Sequence, residues 1–167
     1  MFGLRRKVIK KTQVKSPKPK KRGRKNKQSL RLRRKAWAKV DWEHAPDIKK
    51  QVDELAENLQ LDYLQLKNIY CIRSSTSKAR AYARIWGLNN VWQMALEKPP
   101  SYVIEVLSQH FDKLPEKEKA KVLLHEITHI PKNFSGSLIP HIHKKGARNF
   151  HDKVDQLFSQ YLDKLEE

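Results

Sequence analysis

The first forty residues contain 18 of the chain's 36 lysines and arginines and none of its 18 aspartates and glutamates. No other feature limits the fold as strongly. Like charges repel, and the stretch VKSPKPKKRGRKNKQ, 14–28, offers a single valine for burial. It is expected to be disordered on its own. The following LRLRRKAWAKV, 30–40, can become a short basic helix against a polyanion, with Trp37 and Trp42 placed to anchor its end. Residues 41–167 hold the other 18 basic residues and all 18 acids, so the net charge of +18 belongs to the leader. The chain therefore reads as a disordered basic leader, 1–40, and one folded domain, 41–167.

Cys71 is the only cysteine, which excludes an intrachain disulfide and fits a reducing compartment. No apolar run approaches the roughly 18 residues of a membrane span. The opening MFGLRRKVIKK lacks the apolar core of a secretory signal. A soluble, intracellular protein is expected, in cytoplasm or nucleoid, with no membrane partner and no secretion.

Within the body, DIKKQVDELAENL sets Ile48, Val52, Leu55 and Leu59 on one helical face opened by Pro46. YLQLKNIYCIR, 63–73, alternates as a strand does, and SSTS, 74–77, is a turn. ARAYARIW, 79–86, reads as a second strand paired with the first. NNVWQMALEK, 89–98, is a short helix ended by Pro99 and Pro100, and SYVIEVL, 101–107, is a β-branched third strand. Pro115 opens another helix with Glu116 and Glu118 in its first turn, and Pro131 stops it at Ile130. Ala147, Phe150, Val154, Leu157, Phe158, Tyr161 and Leu165 mark a C-terminal amphipathic helix. The order predicts an α+β body with a small, mostly antiparallel sheet packed on the helix of residues 115–130 and its flanking helices.

That helix carries the chemistry. The segment KVLLHEITHIPKNFSGSLIPHIH, 121–143, holds four of the seven histidines. At about 100° per residue, His129 lies about 40° from His125, and Leu123, Ile127, Ile130 and Ala120 fall on the far side. Two imidazoles one turn apart can grip one ion, and Zn²⁺ suits them. Glu126, beside the pair but angled away, is placed to take a proton from an activated water as general base. This is the HExxH pattern of zinc hydrolases. A third ligand must follow downstream. No glutamate occurs between Glu126 and Glu166, and position 135 is a serine. The candidates are His141, His143, His151, Asp152 and Asp155. His141, held after Pro140 once the Gly136 turn has folded the chain back, is favoured, with His143 the alternate.

The span VIEVLSQHFDKLPEKEKAKVLLHEITHIPKNFSGSLIPH, 103–141, resembles the phage and archaeal metallopeptidase family. In its HExxH helix and preceding strands that family is similar to SprT-like metalloproteases. The likeness rests on the strand ending near Leu107, on Phe111 and Leu114, and on His125 to His129. It continues through Ile130-Pro131, Phe134-Ser135-Gly136 and Pro140-His141, and extends over about 46–165. It implies a zincin-like fold, one zinc and peptidase activity on a protein or peptide substrate. Thr128 departs from the pattern, which places a larger apolar residue there.

The leader is expected to contact DNA or RNA through residues 5–39 by releasing counterions from phosphates, with strong salt dependence and little sequence preference. PKPKKRGRKNK, 17–27, is similar to an AT-hook, but Lys25 stands where a proline is usual. Two function classes follow. One is a zinc-dependent peptidase with a nucleic-acid-binding tail. The other is a nucleic-acid-binding protein whose zinc is purely structural, closed by a fourth ligand such as His143. Hydrolysis of a non-peptide bond is a third, weaker option, because activated water does not choose its bond.

Overall fold

The computed structural model of the protein describes residues 40–77, 79–141 and 149–166. The readings made for the leader, for His143 and for Ala147 lie outside them.

Among the described residues are four strands and five α-helices: β1 Trp42–His44, α1 Pro46–Asn58, β2 Ile69–Ser74, β3 Ala83–Gly87, α2 Asn90–Leu96, β4 Tyr102–Leu107, α3 Ser108–Phe111, α4 Glu116–Thr128 and α5 Phe150–Leu165. The α+β class is as expected. The sheet order is β1-β2-β4-β3. Antiparallel pairings of β1 with β2 and of β3 with β4 flank a parallel pairing of β2 with β4, so the sheet is mixed.

The expected pairing of β3 with β2 is therefore wrong: β4 lies between them. The reason is burial. In β4, Tyr102, Ile104 and Val106 are fully buried on one face, and Glu105 and Leu107 are nearly so on the other. A strand buried on both faces belongs in the middle of a sheet. Alternation along 79–86 signals a strand but does not name its neighbour. The first predicted strand is also shorter than expected, because Leu66–Asn68 form a 3₁₀ turn before it. β1 was not foreseen, since three exposed residues carry no periodic signal.

Side chains of the sheet's inner face, Ile69, Cys71, Ala83, Tyr102, Ile104 and Val106, share one core with Ile48, Val52 and Leu55 of α1 and Leu123, Leu124 and Ile127 of α4. Leu157, Phe158 and Tyr161 of α5 pack against it, while Leu165 stays exposed. Burial of these apolar faces is the main favourable term in holding the helices to the sheet. Cys71 is part of this core, and burial pushes its thiol up to about 12, so it is a neutral packing atom rather than a nucleophile.

On the outer face, Glu105 accepts the Trp42 indole N–H at 3.2 Å and the Trp86 indole N–H at 3.1 Å, one on each carboxylate oxygen. A buried carboxylate is tolerable only with such partners. Glu105→Gln turns one acceptor into a donor facing an indole N–H. A loss of about 1–2 kcal/mol of stability is expected, measured by urea unfolding.

Candidate metal centre

Helix α4 begins after Pro115, with Glu116 and Glu118 in its first turn, where the helix dipole favours acids. Its last helical residue is Thr128, and His129 caps it, so it ends slightly before Ile130. Leu123, Leu124 and Ile127 anchor it in the core. Thr128 is buried as well, and its hydroxyl donates to the Leu124 carbonyl at 2.7 Å, so this departure from the family pattern is satisfied within the helix. This anchoring turns His125 and His129 to the same side, with ring centroids 5.2 Å apart.

The return of the chain depends on two ties between residues 129 and 139. The Ile139 amide donates to the His129 carbonyl at 2.8 Å. His129 Nδ1 lies 2.6 Å from the Ile139 carbonyl oxygen. A carbonyl can only accept, so Nδ1 carries the proton and Nε2 keeps its lone pair for a metal. With Ile139 fixed, His141 follows two residues later. Its Nε2 is 2.9 Å from His125 Nε2, and its ring centroid is 4.5 Å from that of His129.

Between these points the loop is bound to the sheet. Phe134 is buried against Tyr102 at a centroid distance of 4.9 Å. The Tyr102 hydroxyl donates to the Ser137 carbonyl at 3.0 Å and accepts the Gly136 amide at 2.8 Å. Burial raises the Tyr102 phenol above its ordinary value, which keeps that proton in place. Gln93 of α2 donates to the Ser135 carbonyl at 2.8 Å. Gly136 has φ +82°, and a Cβ there would overlap the Leu88 carbonyl oxygen and the Gln93 amide. Gly136→Ala is therefore expected to cost about 2–4 kcal/mol in urea unfolding and to weaken affinity for a metal ion, because the loop that carries His141 loses its seat.

One nitrogen from each of His125, His129 and His141 lies within 4.8 Å of the others, close enough for one metal ion. Two imidazoles sharing a tetrahedral zinc stand about 3.3 Å apart, so the donor set fits that ion in type and spacing. Phe150, the first residue of α5, is buried against all three rings at 4.4–5.0 Å and forms an apolar wall. Burial first, then the neighbouring His129, His141 and His151, pushes the His125 imidazole down to about 4, so at neutral pH it is unprotonated and ready to ligate.

The other downstream candidates are placed differently. His151 stacks on His141 with centroids 5.7 Å apart and stands beside the group rather than in it. Asp152 accepts the Asn149 amide at 3.1 Å in the capping box of α5. Asp155 pairs with Lys121 at 2.7 Å and ties α5 to α4.

Glu126, next to His125 in the helix, is 8% exposed, and its carboxyl meets the Ile85 backbone of β3. Burial raises its carboxyl to about 7, against the lesser effect of a hydrogen bond with the Ile85 backbone. Ile85, Ile139, Tyr102 and Phe150 are the supporting residues that sequence reasoning missed. The apolar positions gave signals for packing alone, and two of the four act through backbone atoms.

The family model described as putative phage metallopeptidase matches residues 40–159 of the chain. No curated protein and no solved structure matches it. Among the described residues, no helix is long and apolar enough to cross a membrane.

Proposed function

This chain belongs to the phage metallopeptidase family, and from that premise we propose that it is a zinc-dependent peptidase of the HExxH type. The observation that carries the reading is the convergence of His125, His129 and His141, with the buried Glu126 adjacent to His125 in the same helix. The three Nε2 atoms would hold the ion, and the Ile139 carbonyl would orient His129. Zinc, when bound, supplies Lewis acidity that acidifies water and polarises a carbonyl oxygen.

The rest is the work of the protein. Glu126 takes the proton of the attacking water, whose oxygen adds to the peptide carbonyl carbon. As the C–N bond breaks, the same carboxyl returns the proton to the departing nitrogen. A carboxyl raised by burial binds a proton firmly enough for this exchange near neutral pH. The Ile85 backbone contact holds the carboxylate in one orientation, and Phe150 shields one side of the rings from water. Residues 41–167 act as the catalytic domain.

Residues 5–39 of the basic leader tether the enzyme to DNA or RNA, so that proteins bound there become its substrates. The polycation is the support for this tether. The reading is tested by incubating the zinc-loaded chain with a denatured protein and separating the products. Cleavage that a chelator abolishes and added zinc restores is expected. Absence of cleavage with zinc bound contradicts it.

A further inference from the structure

The outer face of the sheet has no part in the chemistry above. Its register aligns Tyr70 of β2, Val103 of β4 and Trp86 of β3 in one row. Tyr70 and Trp86 are each 51% exposed, and Trp42 on β1 is 61% exposed. Tyr70 and Trp86 flank a cleft of about 360 Å³ with Val103 between them and Lys98 at its edge.

Adjacent strands are about 4.8 Å apart, so two aromatic side chains separated by one strand stand about 9.5 Å apart. A planar ring between them needs about 7 Å for its two contacts. The Trp86 indole already leans toward β4, because its N–H bonds Glu105. The Glu105 carboxylate is 2% exposed, accepts both indole N–H groups and does not line the cleft. Two residues before Trp42 the acid-free leader ends, with its charge of +18.

We propose that this face binds single-stranded nucleic acid, with one base stacked between Tyr70 and Trp86. The polycation accounts for affinity to any polyanion. The row of aromatic rings adds a preference for strands whose bases are unpaired, since every base has a face to stack. Val103 has no polar side-chain atom, and the Ser101 hydroxyl is already bonded to the Pro99 carbonyl, so rings rather than sugars are read. The inference rests on the proposal that the leader contacts nucleic acid.

Fluorescence anisotropy on the full chain tests it, with an oligo-dT, an abasic strand of equal length and a duplex. The oligo-dT is expected to bind more tightly than the abasic strand. Tyr70→Ala should weaken oligo-dT binding about 5–100-fold and leave duplex binding within about twofold, while Tyr70→Phe retains both. Equal affinity for oligo-dT and the abasic strand, or equal loss on all three probes, overturns the stacking site and leaves the leader reading intact. No binding of any probe overturns both. A doubled mass in sedimentation that Tyr70→Ala restores to a monomer would assign the face to a second copy, and it too overturns the proposal.

Discussion

Replacing Glu126 with glutamine is expected to lower peptide hydrolysis by about 10²–10⁴-fold while zinc affinity stays within about threefold. Glutamine keeps the volume of the side chain and the packing of α4, but it cannot accept a proton from water and return it to the departing nitrogen. Activity and metal content, measured on the same sample, therefore separate. A second readout needs no substrate. Burial raises the Glu126 carboxyl from 4.5 to about 7, so the fold favours its protonated form. The stability that this preference lends is complete below 4.5 and is lost as pH rises through about 7. In the metal-free protein His125, pushed from 6.5 down to about 4, opposes this loss up to about pH 6.5, so Glu126→Gln, whose amide has no proton to lose, should make stability rise more steeply with pH there than in the unsubstituted chain. Full hydrolysis by the variant would remove glutamate from the proposed role.

The second large effect concerns the donor from the loop. His141→Ala should weaken zinc binding by a factor on the order of 10² or more, since even partners one step removed from a metal are worth 10–100-fold. His143→Ala should change it less than about threefold on the same scale. The contrast matters because a structural zinc closed by His143 would respond to both substitutions alike. Competition with a chromophoric chelator gives both constants. Comparable losses would favour the closed site, and with it a binding protein rather than an enzyme.

How much of this arrangement was legible in the sequence depended on whether the cause was local. The spacing of His125 and His129, the apolar stripe opposite them and the stop at Pro131 are all written within one helix, and α4 follows that pattern. The approach of His141 was legible because a proline and a glycine leave the chain little choice but to turn back. What holds it there was not. Ile139 reaches His129 through its backbone amide and carbonyl, and no side-chain pattern announces such a bond. Tyr102 looked like any aromatic at a strand start, yet its hydroxyl fastens Gly136 and Ser137 from 34 and 35 residues away. Partner choice within the sheet failed for a similar reason. A period of two residues identifies a strand, whereas the position of β4 between β2 and β3 is set by burial on both of its faces, a property of the assembled core.

The central claim is that three imidazoles hold a zinc ion and leave one position open. X-ray absorption at the zinc edge of the loaded full-length protein tests it most directly. One zinc per chain, three imidazole nitrogens at about 2.0–2.1 Å and a single oxygen from solvent is the predicted result. Four donors from the protein, or a chain that retains no zinc, would contradict it.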